Sequence, residues 1–320
     1  MTDQIVLRPG SEIEIAKLRS AATDFMAASR SEATRRAYAS DLRDFDRWCS
    51  DRGLCSLPPE PQTLVLYLTD RAETHKPVSL RRRLAAIAVA CKLAGVESCH
   101  RHPAVVDVMS GIARTRAAVP TQKRPILTKD VRTIIRHLPD TRAGRRDRAI
   151  LLIGLAGGFR RSEIVALNVE DLEFTEDGLV IALRRSKVDQ EGRGVLVGVP
   201  AGSNFETCPV RALRSWLDAA QIEAGSIFRQ ISRGDRVLDD RLSGGALARM
   251  IKRRCELVGL DPSAFSGHSL RAGLATQAAM SDAPIHAIME QGRWSSVTTV
   301  TRYVRRGSLF KGNAAALLGL

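Results

Sequence analysis

The sequence predicts a mainly α-helical protein with a small antiparallel β-sheet, divided into a helical bundle and a mixed second domain. Its 320 residues, 44% of them apolar, most simply form two domains with buried cores. Apolar residues recur at helical spacing through residues 11–118, where no strand pattern occurs. Residues 174–184 and 194–199 are instead rich in β-branched residues around a charged turn, which predicts a hairpin or small antiparallel sheet.

The first ten residues end in Pro9-Gly10 and are predicted to form a flexible arm. Residues 11–118 then form a predicted bundle of five helices, each opened by a residue that favours a helix N-terminus. Those residues are Ser11, Ser31, Pro61, Ser79 and Pro103. Tyr38 and Tyr67 fall on apolar helix faces and are predicted to be core residues.

Basic side chains form a second face on two of these helices. They are Arg36, Arg43 and Arg47 in the second helix, and Arg81, Arg82 and Arg83 at the start of the fourth. One interpretation of such residues is a solvated surface. The presence of two basic faces favours contact with the phosphates or the major groove of a nucleic acid.

The overall charge points to the same class of partner. The formal net charge is +14, and residues 119–320 carry most of it, with 31 basic against 21 acidic side chains. Residues 1–118 carry 18 basic against 14 acidic side chains. Arginine forks match phosphate oxygens, so nucleic acid is the first partner to consider, before an acidic protein or a lipid surface.

The cysteines and the hydropathy favour a soluble cytoplasmic protein with no metal. Six scattered cysteines with no C-x-x-C pair favour reduced thiols over a disulfide framework. Cys99-His100-x-His102 lacks a fourth ligand at zinc-site spacing, so no metal is expected there. The sequence has neither a signal-peptide pattern nor an apolar run of the roughly 18 residues that a membrane span needs.

Residues 119–126 contain two prolines and two basic residues without periodicity, which predicts a linker. The second domain, 127–307, is predicted to contain helices before and after the small sheet in the chain. Their predicted bounds are 128–138, 147–155, 163–167, 208–220, 243–258, 268–280, 284–291 and 295–304. A short tail, 308–320, ends in apolar residues.

Several chemically capable residues are spread over this second domain. In chain order they are Arg160-x-x-Glu163, Lys187 in the loop of the predicted hairpin, His268-x-x-Arg271, Gly292-x-Trp294 and Tyr303. Taken alone, the first pair is consistent with a helix-cap ion pair, and Lys187 with a solvated loop residue. Together they suit chemistry at a phosphodiester, where a phenol attacks phosphorus and cationic groups hold the non-bridging oxygens.

In this order, the residues resemble the tyrosine recombinase (phage integrase) family over nearly the whole chain. Trp294 and Ser266-Gly267-His268-Ser269 are similar to the Cre-like branch of that family. The resemblance implies a helical core-binding domain at 11–118 and a mixed α/β catalytic domain at 127–307, which together form a C-shaped clamp on DNA. It also implies that the tail helix is exchanged between protomers; the alternative is that the tail packs on its own domain.

The resemblance implies a role for each residue of the set. Tyr303 is the nucleophile and forms a 3′-phosphotyrosyl ester. Arg160, Arg271, His268 and Trp294 contact the non-bridging oxygens, Lys187 protonates the leaving 5′-oxygen, and Glu163 orients its neighbours. A phenol, with a pKa of about 10, needs such cations to favour its anion. The ester retains the energy of the broken bond, so no cofactor, whether ATP or metal, is expected.

The implied partners are double-stranded DNA with inverted half-sites and three further copies of the chain. The copies form a tetramer on DNA around a Holliday junction, from protomers that are monomeric when free. Arg241, Arg249 and Lys252 are candidate DNA contacts, whereas Gly245 stands where Cre-like relatives carry a base-reading arginine. The alternatives are strand relaxation of the type IB topoisomerase kind, or a DNA-binding or architectural protein without catalysis.

Overall fold

A computed structural model of the chain describes residues 31–116, 123–184, 194–307 and Leu318. The chain divides into two compact units, with unit 1 ending at Thr121 and unit 2 beginning at Gln122. The predicted arm, the helix predicted from Ser11 and the first half of the predicted linker lie outside the described residues. The loop that contains Lys187 and, except for Leu318, the tail also lie outside them.

Unit 1, as described, is a bundle of four α-helices and one short 3₁₀ turn. The helices are α1 (Glu32–Ser50), α2 (Pro61–Arg71), α3 (Pro77–Leu93) and α4 (Pro103–Thr115). The Ser31 hydroxyl caps α1 by accepting a hydrogen bond from the Thr34 N–H at 3.3 Å. The prediction that Ser79 opens α3 is wrong, because the helix already begins at Pro77, whose fixed φ suits the first helical position.

Aromatic side chains fill the centre of this bundle. The Tyr67 ring is completely buried, as predicted, and its centroid lies 4.8 Å from that of Phe45 and 5.3 Å from that of Trp48 in edge-to-face contacts. Tyr38 is only partly buried. These contacts hold α1 against α2.

A charged network lies beside the aromatic core. The Asp44 carboxylate accepts hydrogen bonds from the Tyr67 hydroxyl at 2.9 Å, from Arg71 Nε at 3.0 Å and from Arg83 Nη1 at 2.6 Å. Arg83 also lies 2.9 Å from His75 Nε2 and is only 8% exposed. Arg83, predicted with its neighbours to face nucleic acid, is instead turned into the bundle by the helical spacing that exposes Arg81.

Replacing Asp44 with asparagine is expected to destabilise unit 1 at neutral pH. Burial raises the pKa of Asp44, but hydrogen bonds from Arg71 and Tyr67 and the charge of Arg83 outweigh it, so that the net pKa is lowered. Such a carboxylate adds stability above its unfolded pKa of about 3.9, and this stability is lost as the pH falls through the folded pKa. We expect Asp44→Asn to cost about 2 kcal/mol at pH 7 and to weaken the acid dependence below about pH 4.

Hydrogen exchange of the amides in α1 to α4, measured on the full chain between pH 3 and 7, checks this expectation. Asp46→Asn is the matched control, because Asp46 is exposed on the same helix. Equal exchange in the two variants would contradict the assignment of stability to the Asp44 network.

Unit 2 contains eight α-helices and five strands among its described residues. The helices are α5 (Thr128–Arg136), α6 (Arg142–Ala156), α7 (Arg161–Ala166), α8 (Pro209–Ala220), α9 (Gly244–Glu256), α10 (Ser269–Met280), α11 (Ile285–Gly292) and α12 (Val297–Gly307). The strands are β1 (Leu172–Phe174), β2 (Gly178–Leu183), β3 (Val195–Pro200), β4 (Arg229–Ile231) and β5 (Val237–Arg241). Trp216 is fully buried in the core and donates a hydrogen bond to the Ile227 carbonyl at 2.9 Å.

The predicted antiparallel sheet is confirmed, with strand order β1-β2-β3. Strands β2 and β3 stay paired as far as Leu183 and Val195. The sequence prediction missed the second hairpin, formed by β4 and β5. Its turn has Asp235 in the left-handed region at φ 57°, closed by a hydrogen bond from Ser232 N–H to the Arg236 carbonyl at 2.9 Å.

Two predicted helix boundaries in unit 2 are corrected by local hydrogen bonds. Helix α6 begins at Arg142 rather than near 147, because the Thr141 hydroxyl accepts from the Gly144 N–H at 3.1 Å and caps it. Helix α5 ends at Arg136 rather than at Leu138. Caps and turns decide where a helix begins and stops, and the periodicity of apolar residues does not encode them.

Three general features hold for the described part of the chain. All six cysteines are free thiols. Within the described ranges, no set of three or more His, Cys, Asp or Glu side chains is placed to bind a metal ion. None of the helices described combines the length and the apolar character that crossing a bilayer requires.

Candidate active site

A tight turn after α6 begins the site. Gly158 has φ +55°, and a Cβ atom there would lie 2.4 Å from Leu274 Cδ2 of α10, so glycine suits both the conformation and the space. The turn brings the backbone of Gly158 against α10 and leaves Arg160 at the N-cap position of α7. Two separate parts of the chain therefore meet at this point.

Glu163 fixes Arg160 in that position. Its carboxylate accepts a hydrogen bond from the Arg160 backbone N–H at 2.8 Å and forms an ion pair with the Arg160 guanidinium. Burial raises the pKa of Glu163, but this hydrogen bond and the charges of Arg293 and Arg160 outweigh it, so that the pKa is lowered. Glu163 is therefore an ionised side chain, only 4% exposed, that holds the Arg160 guanidinium in one place.

Arg271 lies in the first turn of α10 and is 1% exposed. Its guanidinium donates hydrogen bonds to the Gly158 carbonyl at 2.6 Å and to the Arg293 carbonyl at 3.3 Å. Burial and the nearby positive charge of Arg160 lower the pKa of Arg271 to about 9, so the side chain remains cationic at neutral pH. A buried cation next to a second cation creates a site that favours an anion.

Trp294 and Tyr303 complete this side of the site. The Arg271 guanidinium carbon lies 4.2 Å from the centroid of the Trp294 ring, a cation–π contact. The centroids of the Trp294 and Tyr303 rings lie 6.0 Å apart. Gly292 allows this packing, because a Cβ atom at that residue would lie 1.7 Å from Trp294 Cζ3. Tyr303 is half-buried on α12, above a small apolar cluster that includes Val300.

His268 lies at the N-cap position of α10, one turn before Arg271. Its backbone N–H donates to the Ser266 hydroxyl at 3.2 Å, and its side chain is exposed. Lys187 lies in the loop outside the described residues. The structure therefore brings five of the seven predicted residues into one region, places His268 at its edge and leaves Lys187 undescribed.

Sequence reasoning missed one residue of this region, Arg293. Its guanidinium donates to Glu163 at 3.1 Å and to the Gly157 carbonyl at 3.0 Å, and its side chain is 7% exposed. The sequence signal for Arg293 is its position between Gly292 and Trp294, and nothing else in the sequence distinguishes it from the many other arginines of the chain.

The remaining predicted DNA contacts differ in the solvent exposure of their side chains and in the hydrogen bonds that these side chains make within the protein. Exposed residues are Arg36, Arg43, Arg47, Arg81, Arg249 and Lys252. Arg82 is bound to Asp41 at 2.8 Å while half of its side chain stays exposed. Arg241 braces the fold through the Val165 carbonyl at 2.7 Å and Asn168 Oδ1 at 2.6 Å. Next to Gly245, Arg249 Nη1 reaches within 3.4 Å of where a Cβ atom would stand.

Known protein families match this chain over most of its length. Residues 125–308 match the phage integrase family, and residues 22–90 match the phage integrase N-terminal SAM-like domain. The chain is 39% identical over 290 residues to an integrase/recombinase xerD homolog of Selenomonas ruminantium, covering 89% of this chain and 85% of that protein. It is 26% identical over 281 residues to the tyrosine recombinase XerC of Syntrophus aciditrophicus (strain SB), covering 84% and 86% of the two chains.

Solved structures share the fold. One is a XerH site-specific recombinase bound to palindromic difH in a post-cleavage complex, with a TM-score of 0.64, 14% identity, and coverage of 89% of this chain and 80% of that one. Another is a lambda integrase dimer bound to a COC′ core site, with a TM-score of 0.54, 17% identity, and coverage of 90% and 93%. At these identities the likeness concerns the fold alone.

Proposed function

The chain belongs to the phage integrase family and is a tyrosine site-specific recombinase, and from this premise we propose that it cuts and rejoins DNA through Tyr303. The observation that carries the proposal is a row of contacts: the Tyr303 ring packs near the Trp294 ring, and the Trp294 ring packs against the Arg271 guanidinium. Arg271 in turn donates a hydrogen bond to the Gly158 carbonyl, in the turn that leads into Arg160. The phenol thus stands beside groups that can bind a phosphate.

In the proposed reaction, the Tyr303 oxygen bonds to a backbone phosphorus, and the bond from that phosphorus to the 5′-oxygen breaks. The phenol passes its proton to His268, and Lys187 supplies a proton to the leaving 5′-oxygen. The products are a 3′-phosphotyrosyl ester and a 5′-hydroxyl. A 5′-hydroxyl of a partner strand reverses the step and releases Tyr303, so neither ATP nor a metal takes part.

The arginines stabilise the pentavalent phosphorus in this proposal. Arg160 and Arg271 bind its non-bridging oxygens, and His268 and the Trp294 indole N–H add hydrogen bonds. Three guanidiniums, including that of Arg293, lie around the single carboxylate of Glu163, which leaves an excess of positive charge for the developing phosphorane.

Both units are proposed to contribute DNA contacts. In unit 1, Arg36, Arg43 and Arg47 of α1, together with Arg81 and Arg82, are proposed to contact phosphates, and the buried Arg83 is the least accessible of the predicted set. In unit 2, Arg249 and Lys252 lie exposed on α9, and Arg241 is proposed to act mainly as a brace. Several phosphate contacts imply an affinity that falls steeply with salt.

We propose that residues 11–118 form the core-binding domain, 119–126 the linker and 127–307 the catalytic domain. Four copies would assemble on inverted half-sites and exchange their tails, 308–320. The relatives reported above carry Xer names, and the interpretation of a Cre-like branch rests on Trp294 and its neighbouring motif alone. Type IB relaxation without strand exchange is the competing reaction, and a cytoplasmic location accords with a DNA substrate.

The first step of the test is to find the DNA. Random-sequence duplexes are selected for binding to the full chain, and the recovered sequence, called the selected duplex, is expected to contain inverted repeats.

Incubation of the chain with this duplex, nicked near the cleavage position, is expected to give a covalent adduct on a denaturing gel. Two differently marked copies are expected to exchange strands. Relaxation of supercoiled DNA without exchange would favour the topoisomerase reaction, and binding without an adduct would refute the catalytic proposal.

A further inference from the structure

Arg293 is held in a conformation that arginine rarely adopts. Its φ of 56° lies in the left-handed region, where it ends helix α11, and a residue that carries a Cβ atom is disfavoured there. Glycine would fill the position without this cost. The Arg293 side chain is nevertheless 7% exposed and turned into the protein.

The Arg293 guanidinium connects three parts of unit 2. Its Nη1 donates to the Gly157 carbonyl at 3.0 Å and the Gln291 carbonyl at 2.8 Å. Its Nη2 donates to the Gly158 carbonyl at 3.2 Å and to Glu163 Oε2 at 3.1 Å. The guanidinium carbon also lies 4.8 Å from the centroid of the Phe159 ring. One side chain thus ties the end of α11 to the glycine turn and to α7.

The backbone of the same residue contacts the second arginine of the site. The Arg293 carbonyl accepts from Arg271 Nη2 at 3.3 Å, and the Gly158 carbonyl accepts from both Arg271 and Arg293. Glu163, which Arg293 contacts, also pairs with Arg160. Arg293 is therefore bonded directly to Arg271 and, through Glu163, indirectly to Arg160, the two residues whose guanidiniums are proposed to bind the phosphate.

We propose that Arg293 is a positioning residue, which sets the separation of Arg160 and Arg271 and the placement of the adjoining Trp294. It acts through Glu163 and the glycine turn and does not touch DNA. The inference rests on the proposed function, because it assigns to Arg293 the alignment of groups that would act on the phosphate. The unfavourable backbone conformation is retained because only an arginine side chain reaches all four acceptors from this turn.

Arg293→Gly separates this role from a role in folding. Glycine relieves the backbone conformation, which offsets part of the stability lost with the buried guanidinium, so we expect a lower melting temperature but a chain that stays folded at the assay temperature and binds the selected duplex like the parent. We expect single-turnover cleavage of the nicked selected duplex at saturating protein to fall about 100-fold, since a misplacement of about 1 Å has that effect. Guanidinium ion added at millimolar concentration is expected to restore part of the rate.

Gln221→Gly is the matched control. Gln221 ends α8 in the same left-handed conformation, with φ 51°, and lies outside the site. Its replacement by glycine is expected to leave the cleavage rate unchanged. Arg293→Lys retains one charge but not the fork, and is expected to cleave more slowly than the parent.

The outcomes are distinguishable. Cleavage by Arg293→Gly at the rate of Gln221→Gly would overturn the positioning role while leaving the proposed function intact. Loss of DNA binding, or unfolding of the variant at the assay temperature, together with loss of cleavage and without rescue by guanidinium, would also overturn it and assign Arg293 a role in folding alone. Absence of a covalent adduct with the parent chain would overturn both proposals.

Discussion

Replacing Tyr303 with phenylalanine is expected to abolish the covalent adduct between the chain and the selected duplex. The substitution removes only the phenolic oxygen, so the ring can still pack 6.0 Å from Trp294 and above the Val300 cluster. We therefore expect DNA affinity and melting temperature to be retained. Loss of a nucleophile typically lowers a rate by a factor of at least about 10⁴, which places the remaining adduct below detection on a denaturing gel.

Tyr38→Phe is the control for this experiment, because Tyr38 is also partly buried and lies in unit 1. It is expected to form the adduct normally. An adduct that persists in Tyr303→Phe, or one that disappears in Tyr38→Phe, would show that the nucleophile has been assigned to the wrong residue.

Replacing Arg271 with lysine is expected to have the second largest effect. Lysine keeps one positive charge, but its single ammonium cannot reproduce the hydrogen bonds to the Gly158 and Arg293 carbonyls and also contact a phosphate. The contact between the guanidinium and the Trp294 ring would be lost as well. We expect single-turnover cleavage to fall by about 10²–10³-fold, the range that follows loss of one preorganised donor to a developing anion.

The rate is measured with the nicked selected duplex at saturating protein, so that weaker binding does not enter the result. Arg136→Lys serves as the control, because Arg136 ends α5 on an exposed surface of the same unit. An Arg271→Lys variant that cleaves like Arg136→Lys would remove Arg271 from the set of phosphate-binding groups. If Arg271→Lys melts at a much lower temperature than the parent, the cleavage rate of Arg271→Gln is measured as a second comparison.

The helical periodicity was sufficient for most elements, and its failures have local causes. The β4–β5 hairpin is short, and the turn around Asp235, rather than alternating apolar residues, brings its strands together. The start of α6 depends on a hydrogen bond from Gly144 to the Thr141 hydroxyl. The periodicity of apolar residues contains neither piece of information.

The arginines of α3 show a similar limit. Arg81, Arg82 and Arg83 are adjacent and chemically identical in sequence, but each points about 100° further round the helix. Arg81 therefore faces solvent, Arg82 reaches Asp41, and Arg83 enters the network of Asp44. Only the packing of α3 against its neighbours decides which of the three is available to DNA.

The sequence by itself determined the residue types and the chain order of the site, from Arg160 to Tyr303, and with them the family. It determined these because the chemistry requires particular groups, and a family pattern records their order. The tertiary structure decided how Arg160 and Arg271 are held together, through Glu163, the Gly158 carbonyl and Arg293. The contacts of Arg293 depend on a left-handed backbone and on a turn far away in sequence, and neither leaves a mark in local periodicity.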